Sequence, residues 1–375
     1  MSQKIPSREV STPRKIFGSA DLENSLKEIK KRNYNNNVKD FGADPTGTED
    51  STVAIQNALN SKNVIYFPEG VYLFSEDINF NENNFIFGDG ENKTIFKSQS
   101  NDASFSAIDV SNITIKNIEF DFNHYAGDLN FQSKDETATK DMENIKLEDV
   151  YVHDSGNSNN YSHNIVFKTF SNYNIKKISL NRVKAENAFG DGKGYGDNLY
   201  IASYGGDGLG QLKDVFVNNC RFEKAGRQNI SLAGKDSNIP TNIIIDNCIL
   251  IDSSLAGIDP EDAENVIINN CYFIRSGTYQ GYFENTVHVA ETSPGSTMQG
   301  GISFHGYAED SRFSISNCHF TDCYYGISGG NKAVINNCVF ENSKIANGSA
   351  ASGGLHTFLG CRFITDNSVN YAFKT

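Results

Sequence analysis

The segment Gly257-Ile258-Asp259-Pro260-Glu261-Asp262 holds the strongest chemical signal in the chain. On an extended strand side chains alternate between faces, so Asp259 and Glu261 would share a face with Cα atoms about 6.6 Å apart. Two carboxyls separated by roughly 6.5–9.5 Å can act as acid and base around a water that attacks a glycosidic carbon. Asp262 adjoins the pair and would support it. The same residues also make a good turn, because Asp and Pro favour turn geometry and acids favour water.

Segments of the same pattern can be aligned with this one: Asn164-Ile165-Val166, Asn198-Leu199-Tyr200, Asn229-Ile230-Ser231, Gly301-Ile302-Ser303 and Gly326-Ile327-Ser328. The middle residue would point inward and the third outward. The outward columns then read Val166, Tyr200, Ser231, Asp259, Ser303, Ser328 and Lys168, Ala202, Ala233, Glu261, His305, Gly330. Arg227 precedes the Asn229 segment, where it would hold an anionic group. A histidine joins the acids in either of two registers. If one repeat unit spans Cys271 to Cys318, His305 lies above Glu261. If two units do, Thr286-Val287-His288 supplies a rung and His288 lies above Asp259. Carboxylates, His, Tyr200 and Arg227 on one face form an acid–base site. A lyase would instead use one of these groups to abstract a proton beside a uronate carboxyl.

These residues need a scaffold that turns alignment into adjacency, and the chain supplies one. Asn218-Asn219-Cys220-Arg221-Phe222 recurs as Asp246-Asn247-Cys248-Ile249-Leu250, Asn269-Asn270-Cys271-Tyr272-Phe273, Ser316-Asn317-Cys318-His319-Phe320, Asn336-Asn337-Cys338-Val339-Phe340 and Leu359-Gly360-Cys361-Arg362-Phe363. The cysteine steps are 28, 23, 47, 20 and 23 residues, the period of a solenoid with one unit close to double length. Each unit is short, β-rich and free of helical periodicity. The reading is an all-β parallel β-helix of about ten coils, stacked at roughly 4.8 Å. Ile113, Ile145, Ile178, Val215, Ile243, Val266 and Phe313 begin equivalent strands with one buried face. Six of the seven cysteines fall in one interior column with Cys323 apart, and reduced packed thiols are expected there rather than disulfides.

The flanking loops offer binding groups. Gly190-Asp191-Gly192-Lys193-Gly194-Tyr195-Gly196-Asp197 is not followed by a helix, which excludes a phosphate loop. Asp191 and Asp197 are candidate substrate contacts. They could also hold Ca²⁺ through oxygen ligands, although the spacing is not that of an EF-hand; no other cofactor or metal is implied. Tyr279, Tyr282, Phe283 and Tyr307 could stack on sugar rings or simply cover the coil. His124, His153, His163, His319 and His356 are isolated and read as structural or solvated.

Net charge is −13 with a pI near 5.0, which argues against a nucleic-acid partner. The charge is uneven: residues 1–37 carry eight Lys and Arg against four Asp and Glu, leaving +4 in a basic arm and −17 in residues 38–375. The arm contains a short helical pattern over residues 20–32, with Ser19 to cap it and Leu22, Leu26 and Ile29 on one stripe. It suits attachment or oligomerisation as well as packing on the body. Met1 to Val10 lack an apolar core and do not read as a secretory signal. No apolar run is long enough for membrane insertion. The expected location is a virion, or the extracellular space without a visible signal; cytoplasmic expression is compatible with reduced cysteines.

Residues 38–375 are expected to form one domain. Its opening, Asn37-Val38-Lys39-Asp40-Phe41-Gly42-Ala43-Asp44-Pro45-Thr46-Gly47-Thr48, leads into a helix capped by Asp50 or Ser51 and carrying Val53, Ile55, Ala58 and Leu59. The strands Val64–Phe67 and Val71–Phe74 follow, around Pro68-Glu69-Gly70. Over roughly residues 37–98 this opening resembles the pectate-lyase-like superfamily of right-handed β-helix proteins. That superfamily includes polysaccharide lyases, glycoside hydrolases, C-5 epimerases and phage tailspikes. The resemblance implies a single-stranded right-handed parallel β-helix whose N-terminal helix caps the open end. It implies a carbohydrate polymer, bacterial or uronate-containing, as partner and substrate. It also leaves room for a non-enzymatic phage tail protein attached to a virion by its arm and assembled as a homotrimer. Ala256-Gly257-Ile258-Asp259-Pro260-Glu261 resembles the Tyr-Gly-Phe-Asp-Pro-His element of mannuronan C-5 epimerases, which would make Asp259 the site acid. Ala256 and Glu261 stand where that element has Tyr and His.

Overall fold

A computed structural model describes residues 36–101, 103–134, 140–190, 195–204, 210–234, 238–278, 299–304, 312–329, 332–347 and 356–364. Their strands form a parallel β-helix. One side is a ten-stranded parallel sheet made of Ile78–Asn79, Phe105–Ile108, Leu129–Ser133, Ile165–Thr169, Leu199–Ser203, Ile230–Gly234, Ala256–Asp259, Gly300–Phe304, Tyr325–Gly329 and Lys344–Asn347. A 21-stranded sheet forms the rest of the wall. In it Ile113, Ile145, Ile178, Val215, Ile243, Val266, Phe313 and Ala333 are register partners in successive coils, as the repeat requires.

The corner inside the 21-stranded sheet explains the Asn before each cysteine. Asn219, Asn247, Asn270, Asn317 and Asn337 all adopt φ of 52–54°. Asn tolerates this left-handed conformation better than other non-glycine residues, because its short amide can bond locally. Each corner turns the chain and delivers the following cysteine inward. Cys220, Cys248, Cys271, Cys318 and Cys338 are buried free thiols and Cys361 is half-buried at the end of the column. Cys323 lies apart, its Sγ directed at the Phe273 carbonyl 3.6 Å away. Beside the thiols runs a second ladder, in which Phe273, Phe320, Phe340 and Phe363 stack at 4.6, 4.7 and 5.1 Å between ring centroids.

A single coil joins Cys271 to Cys318. Tyr272 pairs with His319 and Phe273 with Phe320, while Ile258 pairs directly with Ile302 on the other sheet. The register with an intermediate rung, which would have set His288 above Asp259, therefore does not occur. The extra length lies between strands, and His288 and His305 both fall outside the described residues.

The helix Thr52–Ser61 closes the N-terminal end. Ile55, Ala58 and Leu59 join the solenoid core, which shields its apolar end from water. Val53 was expected on that face but is 71% exposed. At 100° per residue it sits opposite Ile55 and Leu59. Asp50 accepts the Thr52 N–H at 2.7 Å, so Asp50 supplies the side-chain cap. The proposed helix over residues 20–32 lies outside the described residues. Among the described residues, no helix is long and apolar enough to cross a membrane.

Candidate functional site

The outward column expected on the ten-stranded sheet is present. Val166 pairs with Tyr200, Tyr200 with Ser231, and Ser231 with Asp259, while Ser303 pairs with Ser328 further along. Asn130 precedes Val166 in the same column. A buried amide ladder sets this register. Asn164 Nδ2 donates to Asn198 Oδ1 at 2.7 Å, and Asn198 Nδ2 to Asn229 Oδ1 at 2.8 Å. The same nitrogens reach the Glu186 and Glu223 carbonyls, each at 2.8 Å. With each corner pinned, the residue two positions on must face outward.

The residue before each ladder asparagine builds the site. These are His163, Asp197 and Gln228, and they interlock between coils. The Asp197 backbone N–H donates to His163 Nδ1 at 3.3 Å, and the Gln228 N–H to Asp197 Oδ1 at 3.1 Å. Arg227 then grips Asp197 with two nitrogens: Nε donates to Oδ1 at 2.8 Å and Nη2 donates to Oδ2. Asp197 is fully buried and the Arg227 side chain is 11% exposed, so this is an ion pair inside the protein. Nη2 also lies 3.4 Å from Ser231 Oγ. Gln228 Nε2 donates to Asp259 Oδ2, and Asp259 is completely buried. The other end of that amide, Gln228 Oε1, is buried without a hydrogen-bond partner among the described residues.

Aromatic rings complete the face. His163 stacks on Tyr200 with 4.5 Å between centroids and 1° between planes. The Tyr200 and Tyr204 hydroxyls share a hydrogen bond. Lys168 Nζ stands 4.7, 5.5 and 5.9 Å from the ring centroids of Phe170, Tyr204 and Tyr200.

Burial lowers the His163 pKa to about 4, against the pull of Asp197 and with the help of Arg227. The ring is therefore neutral at pH 7, which leaves Nδ1 free to accept the Asp197 N–H. Burial, and then the bond to Tyr204, holds the Tyr200 phenol above its ordinary range. Burial opposes the charge on Arg227, but Asp197 overrides it and the guanidinium stays charged.

The structure thus brings together Tyr200, Arg227, Asp197 and Asp259 of the residues singled out from the sequence. Glu261 and Asp262 sit half-buried in the turn that follows, beyond the strand end at Asp259. Pro260 has no N–H to continue the ladder, so the strand spacing does not govern the two acids. The Asp262 N–H donates to the Leu232 carbonyl at 3.3 Å. Both Asp197 oxygens accept from Arg227, an arrangement unlike Ca²⁺ ligation. Asp191, Tyr282, Tyr307, His288 and His305 lie outside the described residues. Sequence reasoning took His163 as isolated, named Lys168 only as a member of the second outward column, and passed over Tyr204 and Gln228. The polar residue before each ladder asparagine (His163, Asp197, Gln228) was a column that could have been aligned, whereas Tyr204 carried no legible signal.

A second polar cluster lies on the outer face of the 21-stranded sheet. Asp121, His153 and Asp154 place ligand-type atoms within 4.8 Å of one another. The charges there are already matched. Lys97 meets Asp121 at 2.5 Å, and His153 lies 2.7 Å from Asp154 and 3.2 Å from Glu119.

Known proteins share this architecture. A right-handed β-helix profile matches residues 200–369. A protein titled ORF18 of Geobacillus virus E2 aligns over 93% of this chain and 65% of its own length, at 18% identity and a TM-score of 0.59. This chain thus spans under two thirds of that protein. The tailspike gp61 of Pseudomonas phage phi297 aligns over 88% of this chain and 75% of its own, at 12% identity and TM-score 0.56. The gp42 tailspike of Acinetobacter phage vb_AbaP_AS12 aligns over 90% and 64%, at 12% identity and TM-score 0.55. At these identities the likeness is one of fold. No functionally curated protein matches the chain. The profile described as rhamnogalacturonase A/epimerase, pectate lyase-like, matches residues 36–282, and the chain belongs to that family of right-handed parallel β-helix proteins.

Proposed function

We propose that the protein binds a carbohydrate polymer along the outer face of the ten-stranded sheet and cleaves it beside Asp259. The observation that supports this best is that the buried Gln228 Oε1 has no hydrogen-bond partner among the described residues. A buried amide oxygen without a donor costs on the order of 1–3 kcal/mol. A sugar hydroxyl supplies such a donor, and Gln228 Nε2 ties the same amide to the Asp259 carboxylate. The bound hydroxyl and the acid are thereby placed one side chain apart. Four coil steps separate Asn130 from Asp259 in the outward column, about 19 Å of face, which suits a chain rather than a single sugar.

In this reading Asp259 transfers the proton, and Glu261 with Asp262 supplies the second carboxyl from the adjoining turn. In the single-coil register His305 is the histidine that would share or tune that proton transfer. An epimerase reading uses the same Asp259, but Ala256 and Glu261 replace the Tyr and His of the epimerase element, which leaves that chemistry without two of its groups. Products decide between the classes. Mass spectrometry after incubation with bacterial surface and uronate polysaccharides should show oligosaccharides with added water for a hydrolase, or unsaturated ends for a lyase. Asp259→Asn should lower turnover by about a thousandfold or more while leaving the circular dichroism spectrum unchanged. Cleavage at wild-type rate by Asp259→Asn would remove Asp259 from the mechanism.

A second reading is a phage tail protein that binds a surface polysaccharide without cutting it, anchored to a virion by its basic arm and assembled as a trimer. The similarity in fold to two phage tailspikes favours it. Tight binding to a polymer that is never shortened, together with a trimeric mass in light scattering, would make this the function.

A further inference from the structure

Cys220, Cys248, Cys271, Cys318, Cys338 and Cys361 form an unbroken column through successive coils, because the residues that follow them pair in register. Packing does not require cysteine there. Val183 and Val150 hold the same position in the two preceding coils, and Ile118 in the coil before those. All three are buried, so a branched hydrocarbon fills the column as well. The change from hydrocarbon to sulfur alters what the column can bind.

The spacing decides what that is. Sulfurs of adjacent coils stand about one interstrand step apart, roughly 4.8 Å. A disulfide needs its Cβ atoms about 3.8 Å apart, so closing one would pull two coils together. Two metal–thiolate bonds of about 2.3 Å laid end to end span about 4.6 Å, close to the coil step. Among the described residues no three of these sulfurs lie within 4.8 Å of one another, so zinc, which takes four ligands in a tetrahedron, is not accommodated. A soft ion held by two thiolates in line is accommodated, and soft thiolates favour monovalent copper. Access singles out one pair. Cys361 is half-buried at the end of the column, whereas the other five are buried. The Cys338 thiol is in hydrogen-bond contact with those of Cys318 and Cys361. Each of the pair also rests on backbone carbonyls, at 3.4 and 3.9 Å from Cys338 Sγ and 3.5 and 3.6 Å from Cys361 Sγ. A thiol is a weak donor, so a metal bond replaces such contacts at little cost.

We propose that Cys338 and Cys361 bind one soft monovalent metal ion, Cu(I), in line between two coils. The two thiols release their protons to solvent, two S–Cu bonds form and the product carries one negative charge; no electron is transferred. This site lies behind the 21-stranded sheet and does not depend on the carbohydrate reading of the ten-stranded face.

The test loads the full chain, reduced and without air, with Cu(I) and then adds bathocuproine disulfonate, a chelator that competes for Cu(I). Native mass spectrometry counts the copper retained. Wild type should keep copper, and Cys361→Val and Cys338→Val should each keep one ion fewer. Valine is the residue the column itself uses in earlier coils, and circular dichroism checks that both variants fold. Cys220→Val, at the far end of the column, and Cys323→Val, apart from it, should keep as much copper as wild type. X-ray absorption at the copper edge should show two sulfur neighbours at one distance, and Zn(II) offered instead should be lost on desalting. Where Cys338→Val unfolds, Cys361→Val and Cys361→Ser at the half-buried position carry the test. Equal copper in wild type and Cys361→Val, loss of copper from Cys220→Val, a shell of three or more sulfurs, retention of Zn(II), or surrender of all wild-type copper to the chelator would each overturn the site.

Discussion

Asp197 and Arg227 form a two-nitrogen ion pair across adjacent coils, with the carboxylate fully buried. The Gln228 N–H adds a third donor to the same carboxylate. A buried pair of this kind adds little net stability relative to apolar residues, but removing one partner strands the other. Asp197→Leu should cost about 3–5 kcal/mol in urea unfolding. The double variant Asp197→Leu with Arg227→Met should recover most of that loss. Equal loss in the single and double variants would show that Asp197 matters through its other contacts.

His163 should make the protein acid-sensitive. Its folded pKa is about 4 against 6.5 for the free side chain, so the unfolded chain binds the proton more readily. The stabilisation is complete above pH 6.5 and is lost as the pH falls toward 4. The shift corresponds to on the order of 3 kcal/mol. His163→Phe keeps a ring against Tyr200 and removes the titration. Its unfolding free energy should fall less than that of wild type between pH 7 and 4.5, by roughly that amount.

His153 has the opposite sign. Burial works against its charge, but hydrogen bonds to Asp154 and Glu119 win and raise its pKa to about 9. Its contribution is complete below pH 6.5 and disappears as the pH rises through 9. His153→Gln should flatten the alkaline side of the stability curve, leaving the loss between pH 6.5 and 9 smaller than in wild type. An unchanged alkaline limb would mean that the imidazolium is not held by those two acids.

Phe320 sits between Phe273 and Phe340 in the ring ladder. Phe320→Ala should cost about 3–5 kcal/mol, since the neighbouring coils cannot close the gap. Each coil touches only its neighbours, so the damage should stay local. Hydrogen exchange should quicken around the strands Tyr272–Ile274 and Val339–Glu341 while the N-terminal coils hold their protection. Uniform loss of protection would mean that the solenoid unfolds as one unit.

Much of the fold was legible because stacked parallel strands convert an alignment of short segments into spatial adjacency. The Cys column, the Asn corners and the outward run Val166, Tyr200, Ser231, Asp259 all follow from repeat spacing and the two-residue alternation of strands. Pro260 was equally legible as the place where that alternation must stop, so the separation of Glu261 from the strand was available in the sequence but easy to read past. The length between Cys271 and Cys318 was not decisive, because a doubled step fits one coil with an insertion as well as two coils; only the pairing of Phe273 with Phe320 chose between them.

What the tertiary structure alone decided is which charges meet. Residue order placed Arg227 near the acids, but the corner geometry turned it onto Asp197 and left Lys168 against the rings. It also turned His163 from an isolated residue into a neutral acceptor stacked on Tyr200. Backbone register depends on a periodic pattern that a sequence displays. Ion pairing and protonation depend on side-chain direction at non-repeating corners and on exclusion of water, and neither has a period to read.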